Sequence, residues 1–224
     1  MKKLAYEWKY SDYLNPGFLS VIDRSSVHTI FELGSHDGVD TLKLREVYGA
    51  TIHAFECHPE LMTLARQRCS HCPDIFLVQK AAWDEDRTIP FYPVVRTTEN
   101  RKVIDNIGAS SCFQARTDYH RLYEQTRIMV DAVRIDTYWR QHRLPPVDMF
   151  CIDVQGAALH ALKGCGEVLR QAGYIIIEIE HRPIYHGQDL FADVDAHLQA
   201  YGFRPVAEVA RDAWFNDYLY VNNA

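Results

Sequence analysis

Two groups of residues in this chain have the types and spacings that chemistry uses. The first is the run Glu32-Leu33-Gly34-Ser35-His36-Asp37-Gly38, with Glu56 further on. Glycines let the backbone of such a loop pass close beneath a ligand, and a helix after it presents free N–H groups. A carboxylate at position 56 has two oxygens that can accept hydrogen bonds from both hydroxyls of a ribose. The second group is Asp153 with Glu178, Glu180 and His181. An imidazole, with an ordinary pKa of about 6.5, suits the taking of a proton, and a carboxylate competes only after substantial desolvation. His181 is therefore the candidate general base, Asp153 its orienting or electrostatic partner, and Glu180 a further catalytic candidate. Asp153, Glu178 and Glu180 also form a candidate oxygen-rich set for a hard divalent cation such as Mg2+. Glu178 and Glu180 alternate along a strand and share one face, whereas His181 faces the other way if the strand continues that far.

The glycines distinguish between two kinds of nucleotide ligand. A dinucleotide would use the same loop with an acidic residue about 20 positions on, and Glu56 follows Gly34 by 22. The dinucleotide pattern also wants glycine at the third and sixth positions counted from Gly34, where this chain has His36 and Val39. Close approach to a pyrophosphate is not provided for, so a nucleoside without phosphates is the better fit.

For these residues to meet, they must stand beyond the carboxyl ends of neighbouring strands in a doubly wound sheet. The hydrophobic pattern supplies such strands. Residues 27–33, 51–56 and 75–79 read as short buried strands, separated by helices over 39–48 and from Pro59 to about 69. Strand alternating with helix is the mark of a parallel sheet with helices on both faces. In the middle, 88–94 reads as a strand and 96–118 as a polar loop centred on Gly108-Ala109-Ser110-Ser111. Regularity returns with an extended stretch at 128–135, a short helix at 136–142 and a buried strand over 147–153 that stops at a carboxylate. A helix over 157–172, the apolar strand 174–179, a helix near 191–201 and two closing strands near 203–209 and 217–221 complete the pattern. The expectation is an α/β fold with a doubly wound, mostly parallel, seven-stranded Rossmann-like sheet whose C-terminal strand is antiparallel.

The chain of 224 residues, 47% of them hydrophobic, suits one domain. Residues 27–224 are expected to form it. The first 26 residues, with Tyr6, Trp8, Tyr10, Tyr13 and Phe18, read as an aromatic segment that caps the substrate cleft or packs on the domain. With 24 basic and 30 acidic residues the net charge is −6, so the global positive field that nucleic-acid binding needs is absent. The most apolar run, Tyr174-Ile175-Ile176-Ile177, is broken at once by Glu178 and is far short of a membrane span. No secretory signal is evident, and six cysteines are too sparse for a disulfide scaffold, so a reducing cytoplasmic setting is expected. Cys69-Ser70-His71-Cys72 with Cys57-His58 is only superficially zinc-like, having a single close cysteine pair. Ser110 and Ser111 suit a loop that closes over substrate better than a nucleophile, and Arg96, Arg101 and Arg116 suit a solvated surface. Tyr185 and His186 are candidates for lining the same cleft, and Trp139 for the core.

Five segments in order resemble the FkbM-type family of S-adenosylmethionine-dependent methyltransferases over most of the chain. They are Phe31 to Gly38, Ala54-Phe55-Glu56-Cys57-His58-Pro59, Gly108-Ala109-Ser110-Ser111, Arg134-Ile135-Asp136-Thr137, and Ile152-Asp153-Val154-Gln155-Gly156-Ala157 with Leu162-Lys163-Gly164. The resemblance implies a class I methyltransferase fold, with Glu32, Gly34 and Gly38 around the methionine part of S-adenosylmethionine and Glu56 on its ribose. It places Ala81 or Ala82 beside the adenine, and Ser35, His36, Asp37, Cys57 and Asp153 complete the expected cofactor contacts. The family often has aspartate where Glu32 stands, asparagine where His36 stands, proline where Cys57 stands, lysine where Cys151 stands, and glutamate where Gln155 and Ala158 stand. The resemblance implies methyl transfer to oxygen, on a hydroxyl of a sugar, glycan or secondary metabolite. The alternatives are a nucleoside-binding module without catalysis, or a methyltransferase acting on N or carboxyl acceptors. The expected partner is a small-molecule or glycan hydroxyl substrate, with no nucleic acid and no membrane; a homo-oligomer and a divalent metal stay open.

Overall fold

In the computed structural model, residues 1–4 and 12–222 are described; Tyr6, Trp8 and Tyr10 of the aromatic segment lie outside them. Strand β1 (Lys2–Leu4) comes first, and a single helical turn, α1 (Pro16–Leu19), precedes β2 (Thr29–Leu33), α2 (Val39–Tyr48), β3 (Thr51–Phe55), α3 (Pro59–Arg68) and β4 (Ile75–Val78). Six short strands follow: β5 (Ala81–Ala82), β6 (Thr88–Phe91), β7 (Val94–Glu99), β8 (Lys102–Ile104), β9 (Arg121–Gln125) and β10 (Ile128–Val133). The chain then runs through α4 (Ile135–His142), β11 (Met149–Ile152), α5 (Ala158–Cys165), β12 (Tyr174–Glu180), α6 (Phe191–Ala200), β13 (Phe203–Ala210) and β14 (Phe215–Asn222).

The central sheet has the order β1-β13-β14-β12-β11-β2-β3-β4. Strands β4, β3, β2, β11 and β12 are parallel neighbours, and β14 is antiparallel to both β12 and β13. These are the seven strands expected from the pattern; β1 adds an eighth, parallel to β13 at the sheet edge. Strand order reverses between β2 and β11, which opens a crevice at their carboxyl ends.

Alternation along the strands sorts the core into two layers. Phe31, Leu33, Phe150, Ile152, Ile175 and Ile177 face α5 and α6. Ile30, Met149, Cys151 and Ile176 face the other way, with Leu44 of α2 and Phe18 of α1. Each buried strand is thus apolar on both faces, which explains runs without a polar alternation. Among the described residues no helix is long and apolar enough to cross a membrane.

Two elements differ from expectation. Residues 96–118 are not simply a loop: β7, β8 and β9 form a three-stranded antiparallel sheet. Strand β7 buries Val94 and Thr97 and presents much of the rest to solvent, so it carries no apolar run to signal it; its β-branched residues are what favour the extended form. The helix over 157–172 stops at Cys165 and continues as a 3-10 segment, Gly166–Gln171. Gly166 has φ +50, and a Cβ there would lie 2.8 Å from Asp136 Oδ2, so the break is built into the contact with α4.

Candidate active site

At the carboxyl end of β2 the chain turns beneath the end of β11. Gly34 has φ +88, and a Cβ there would overlap the Asp153 carbonyl oxygen; glycine is required by that strand as much as by any ligand. The amides of Gly34 and Ser35 both donate to the Phe55 carbonyl at 2.9 Å, and the Asp153 amide donates to the Leu33 carbonyl at 2.9 Å. The loop is therefore pinned to β3 on one side and β11 on the other.

Glu32 is fully buried on β2. Thr41 Oγ1 donates to its Oε2 at 2.5 Å, while its Oε1 has no partner and burial pushes its pKa up to about 8. Ser35 Oγ is likewise buried without a partner. An unpaired buried polar atom costs free energy, so these two are not accounted for by the protein's own hydrogen bonds. Glu56, just past β3, accepts hydrogen bonds from the His36 amide at 3.0 Å and the His58 amide at 2.6 Å, one on each oxygen. Burial pushes its pKa up to about 7 against the pull of those amides. The Cys57 amide adds to their pull, and the carboxylate keeps lone-pair capacity for a ligand hydroxyl.

These groups face a cavity of about 410 Å3, a size typical of small-molecule sites. Glu32, Gly34, Ser35, His36, Asp37, Glu56, Cys57, Ala81, Ala82 and Asp153 all line it. Gly38 stands a step back, at the N-cap of α2. Tyr13, Lys80, Phe91 and Cys112 line it as well; Tyr13 comes from the aromatic N-terminal segment singled out in the sequence, while Lys80, Phe91 and Cys112 come from the end of β4, β6 and the loop after residue 106, where nothing local in the sequence marks them.

A second cavity of about 440 Å3 is lined by Tyr119, Arg121, Tyr123, Glu178, Arg211 and Asp212, among others. It shares Gly108, Asp153 and Gln155 with the first. Asp153 and Gln155 therefore stand where the two spaces meet.

The family described as the methyltransferase FkbM domain matches residues 32–205. This chain belongs to the FkbM methyltransferase family. A curated relative, the 2-O-methyltransferase NoeI of Sinorhizobium fredii (strain NBRC 101917 / NGR234), is 22% identical over 160 residues, covering 71% of this chain and 66% of that protein. Among solved structures, the FkbM chain is similar in fold to the Methanococcus jannaschii fibrillarin pre-rRNA processing protein, with TM-score 0.54 at 15% identity over 91% of this chain and 70% of that one. Aeropyrum pernix fibrillarin with natively bound S-adenosyl-L-methionine gives TM-score 0.53 at 14% identity, over 89% and 69% of the two chains.

The first cavity suits the molecule that the FkbM resemblance implies. Glu32, Ser35, Glu56, Ala81 and Ala82, the residues that resemblance assigns to it, all line this one space.

The acidic group at the ends of β11 and β12 is only partly assembled as expected. Gln155 Nε2 donates to Asp153 Oδ1 at 2.7 Å and to Glu178 Oε1 at 2.9 Å. Burial raises the Glu178 carboxyl well above the carboxylate range, with Asp153 adding to the effect. Glu180 is 2% exposed, and burial pushes its pKa up to about 8. Among the described residues no three His, Cys, Asp or Glu side chains converge to hold a metal ion. The candidate set Asp153, Glu178 and Glu180 is therefore not assembled as one, since an amide N–H2 stands between the first two.

His181 is a correction. It lines neither cavity; its ring stacks on Phe191 at 5.2 Å and its Nε2 lies 2.7 Å from Tyr218 Oη and 3.3 Å from Asn216 Nδ2. Strand β12 ends at Glu180, and strand alternation sends the next side chain to the opposite face, onto α6. Burial lowers its pKa, and it lies outside both spaces where a base would meet a substrate.

The serines serve the loop. Ser110 Oγ donates to the Ile107 carbonyl at 2.6 Å and accepts from the Val94 amide at 2.9 Å. Ser111 Oγ donates to the Gln155 carbonyl at 2.6 Å. Arg96 and Arg116 pair with Glu124 and Asp118. Tyr185 is buried beside Gln155, whereas His186 is exposed.

Proposed function

We propose that this chain is an S-adenosylmethionine-dependent O-methyltransferase acting on a hydroxyl of a sugar, glycan or secondary metabolite. The donor takes the first cavity, the acceptor takes the second, and Asp153 stands between them. The observation that carries this reading is that Asp153 lines both spaces. When bound, S-adenosylmethionine supplies a sulfonium-activated methyl group. Glu32 and Ser35 bind the amino-acid end of the donor, Glu56 binds its ribose hydroxyls, and Ala81 and Ala82 lie against its adenine. Tyr13 also reaches this cavity, which supports a capping role for the segment ahead of β2.

A neutral hydroxyl is a poor nucleophile, so its proton must leave as the new bond forms. Asp153 accepts it. Glu180 lines neither cavity and Glu178 lines only the second, so Asp153 is the carboxylate placed between donor and acceptor. The name of the curated relative, a 2-O-methyltransferase, supports oxygen as the accepting atom. Tyr119, Tyr123 and Phe215 give the second cavity aromatic walls, and such faces suit sugar rings.

The test is transfer of a labelled methyl group from S-adenosylmethionine to a panel of methyl glycosides and phenolic acceptors, with and without a chelator, alongside calorimetry with S-adenosylhomocysteine. Label in an ether-linked methyl is the expected result. Binding of S-adenosylhomocysteine without transfer to any hydroxyl would point instead to a module that holds the nucleoside and does no chemistry.

A further inference from the structure

Gln155 has φ +47, an uncommon conformation for a residue with a side chain, and several of its polar atoms are engaged. Its carbonyl accepts from Ser111 Oγ at 2.6 Å. Its two side-chain N–H groups serve Asp153 and Glu178 at 2.7 and 2.9 Å. Its Oε1 lies 3.0 Å from Tyr185 Oη, which is also 2.9 Å from the Ala109 carbonyl. With Nε2 toward Asp153 the amide donates to that carboxylate, whereas the turned amide would set its oxygen against it. The main-chain carbonyl of Gln155 thus holds Ser111, while Tyr185, whose single hydroxyl proton serves either Oε1 or the Ala109 carbonyl, packs the side chain against the same stretch; Gly108, Ser110 and Cys112 of this loop line the first cavity.

We propose that Gln155 is a positioning residue for methyl transfer: it aims the Asp153 carboxylate at the junction of the two cavities and ties that carboxylate to the loop beside the donor. Placement of the loop and orientation of the base are then one event. The inference rests on the reading of Asp153 as the group that takes the acceptor's proton. A neutral donor suits this position because the surroundings are already acidic. Glu178 and Glu180 approach from β12 and Asp217 from β14, with Arg211 as the cation facing Glu178 and pairing with Asp217 at 3.4 Å. Tyr185 closes the remaining side. An amide N–H on the carboxylate favours its charged form, whereas a further carboxylate there disfavours it.

The test compares wild type with Gln155→Glu, Gln155→Ala and Tyr185→Phe. The measurements are S-adenosylhomocysteine calorimetry, kcat and KM on the best glycoside acceptor, and the pH profile of kcat. For Gln155→Glu we expect kcat to fall about 10- to 100-fold through misplacement of the base, while the S-adenosylhomocysteine Kd stays within about threefold. The acid limb of the kcat profile moves to higher pH, a change that loss of packing alone would not produce. Tyr185→Phe keeps the ring and removes the anchor, so it shows the same signature at roughly 3- to 10-fold; it carries the test if the Gln155 variants fail to fold.

Equal losses in kcat and S-adenosylhomocysteine affinity, or an unmoved acid limb, would overturn the proposal. Amide hydrogen exchange over residues 106–112 with S-adenosylhomocysteine bound needs no acceptor, and it should be faster in Gln155→Ala than in wild type; equal exchange overturns the link to the loop. A wild type that binds S-adenosylhomocysteine but methylates nothing refutes the transfer reading, and with it the role in aiming a base, while the exchange result still decides the loop link.

Discussion

At the ends of β2 and β3 the polar groups facing the first cavity come mainly from two short stretches, 32–37 and 56–58, and backbone amides hold them in place. The second cavity draws Tyr119, Arg121 and Tyr123 from in and around β9, Asp153 and Gln155 from the end of β11, Glu178 from β12, and Arg211 and Asp212 from the turn before β14. Buried unpaired polar atoms belong to residues of both, Glu32 Oε1 and Ser35 Oγ in the first and Tyr119 Oη in the second, but Asp153, Glu178, Arg121 and Arg211 in the second are bonded to protein partners. On the proposed assignment, the donor side is a local socket built from neighbouring residues. The acceptor side is a network whose geometry depends on many distant segments, so changes there should alter turnover more than binding.

That contrast can be broken most sharply at Asp153. Replacing it by asparagine keeps its size and removes the base, so kcat should fall about 10²- to 10⁴-fold, with S-adenosylhomocysteine affinity changed much less. A parallel loss of affinity would merge the two sides into one. Next in size is the pH dependence of donor binding. Glu32 and Glu56 have pKa values raised to about 8 and about 7 by burial. An amino-acid cation beside Glu32 needs the carboxylate form, so binding must release protons below that pKa. Affinity for S-adenosylhomocysteine should therefore rise between pH 6 and pH 8, by up to about tenfold per unit for each proton released, and then level off. Calorimetry in buffers of differing ionisation enthalpy would count the protons.

The same shifts act on folding. A carboxyl group whose folded pKa is raised contributes its stability below the unfolded value of about 4.5, and this is lost as pH rises through the folded pKa. From Glu32 and Glu56 alone, the ligand-free protein should melt at a progressively lower temperature from about pH 5 to about pH 8 and level off above it, and Glu32→Gln should flatten that fall. Smaller effects sharpen the comparison. Tyr123→Ala should raise the acceptor KM about 5- to 20-fold by removing an aromatic wall, without moving S-adenosylhomocysteine affinity. Tyr13→Ala should do the reverse, weakening S-adenosylhomocysteine roughly 3- to 10-fold by the loss of a buried ring face.

The donor side was legible because sequence neighbours become spatial neighbours there. Gly38 and Gly49 bracket α2, Pro59 opens α3, and the strands ahead of them are buried on both faces. The acceptor side hid for two physical reasons. Its walls depend on β7 to β9, short antiparallel strands with solvent on one side, whose polar residues do not announce a sheet. Its parts also meet only through long-range packing, as Tyr185 meets Ala109 and Gln155. His181 shows which clue deserved more weight: the ordinary pKa of imidazole favoured it, but the two-residue alternation of β12 placed it on the far face, with Phe191 and Tyr218. Strand parity was the better guide than side-chain chemistry.

The most direct test of the account is calorimetric titration of S-adenosylhomocysteine into wild type and Glu56→Ala. Loss of the carboxylate should weaken binding by about 1.5 to 3 kcal/mol, the usual worth of hydrogen bonds to a charged group, with the fold intact by circular dichroism. Undiminished affinity in a folded variant would mean that the ribose is held elsewhere, and the assignment of the first cavity would fail.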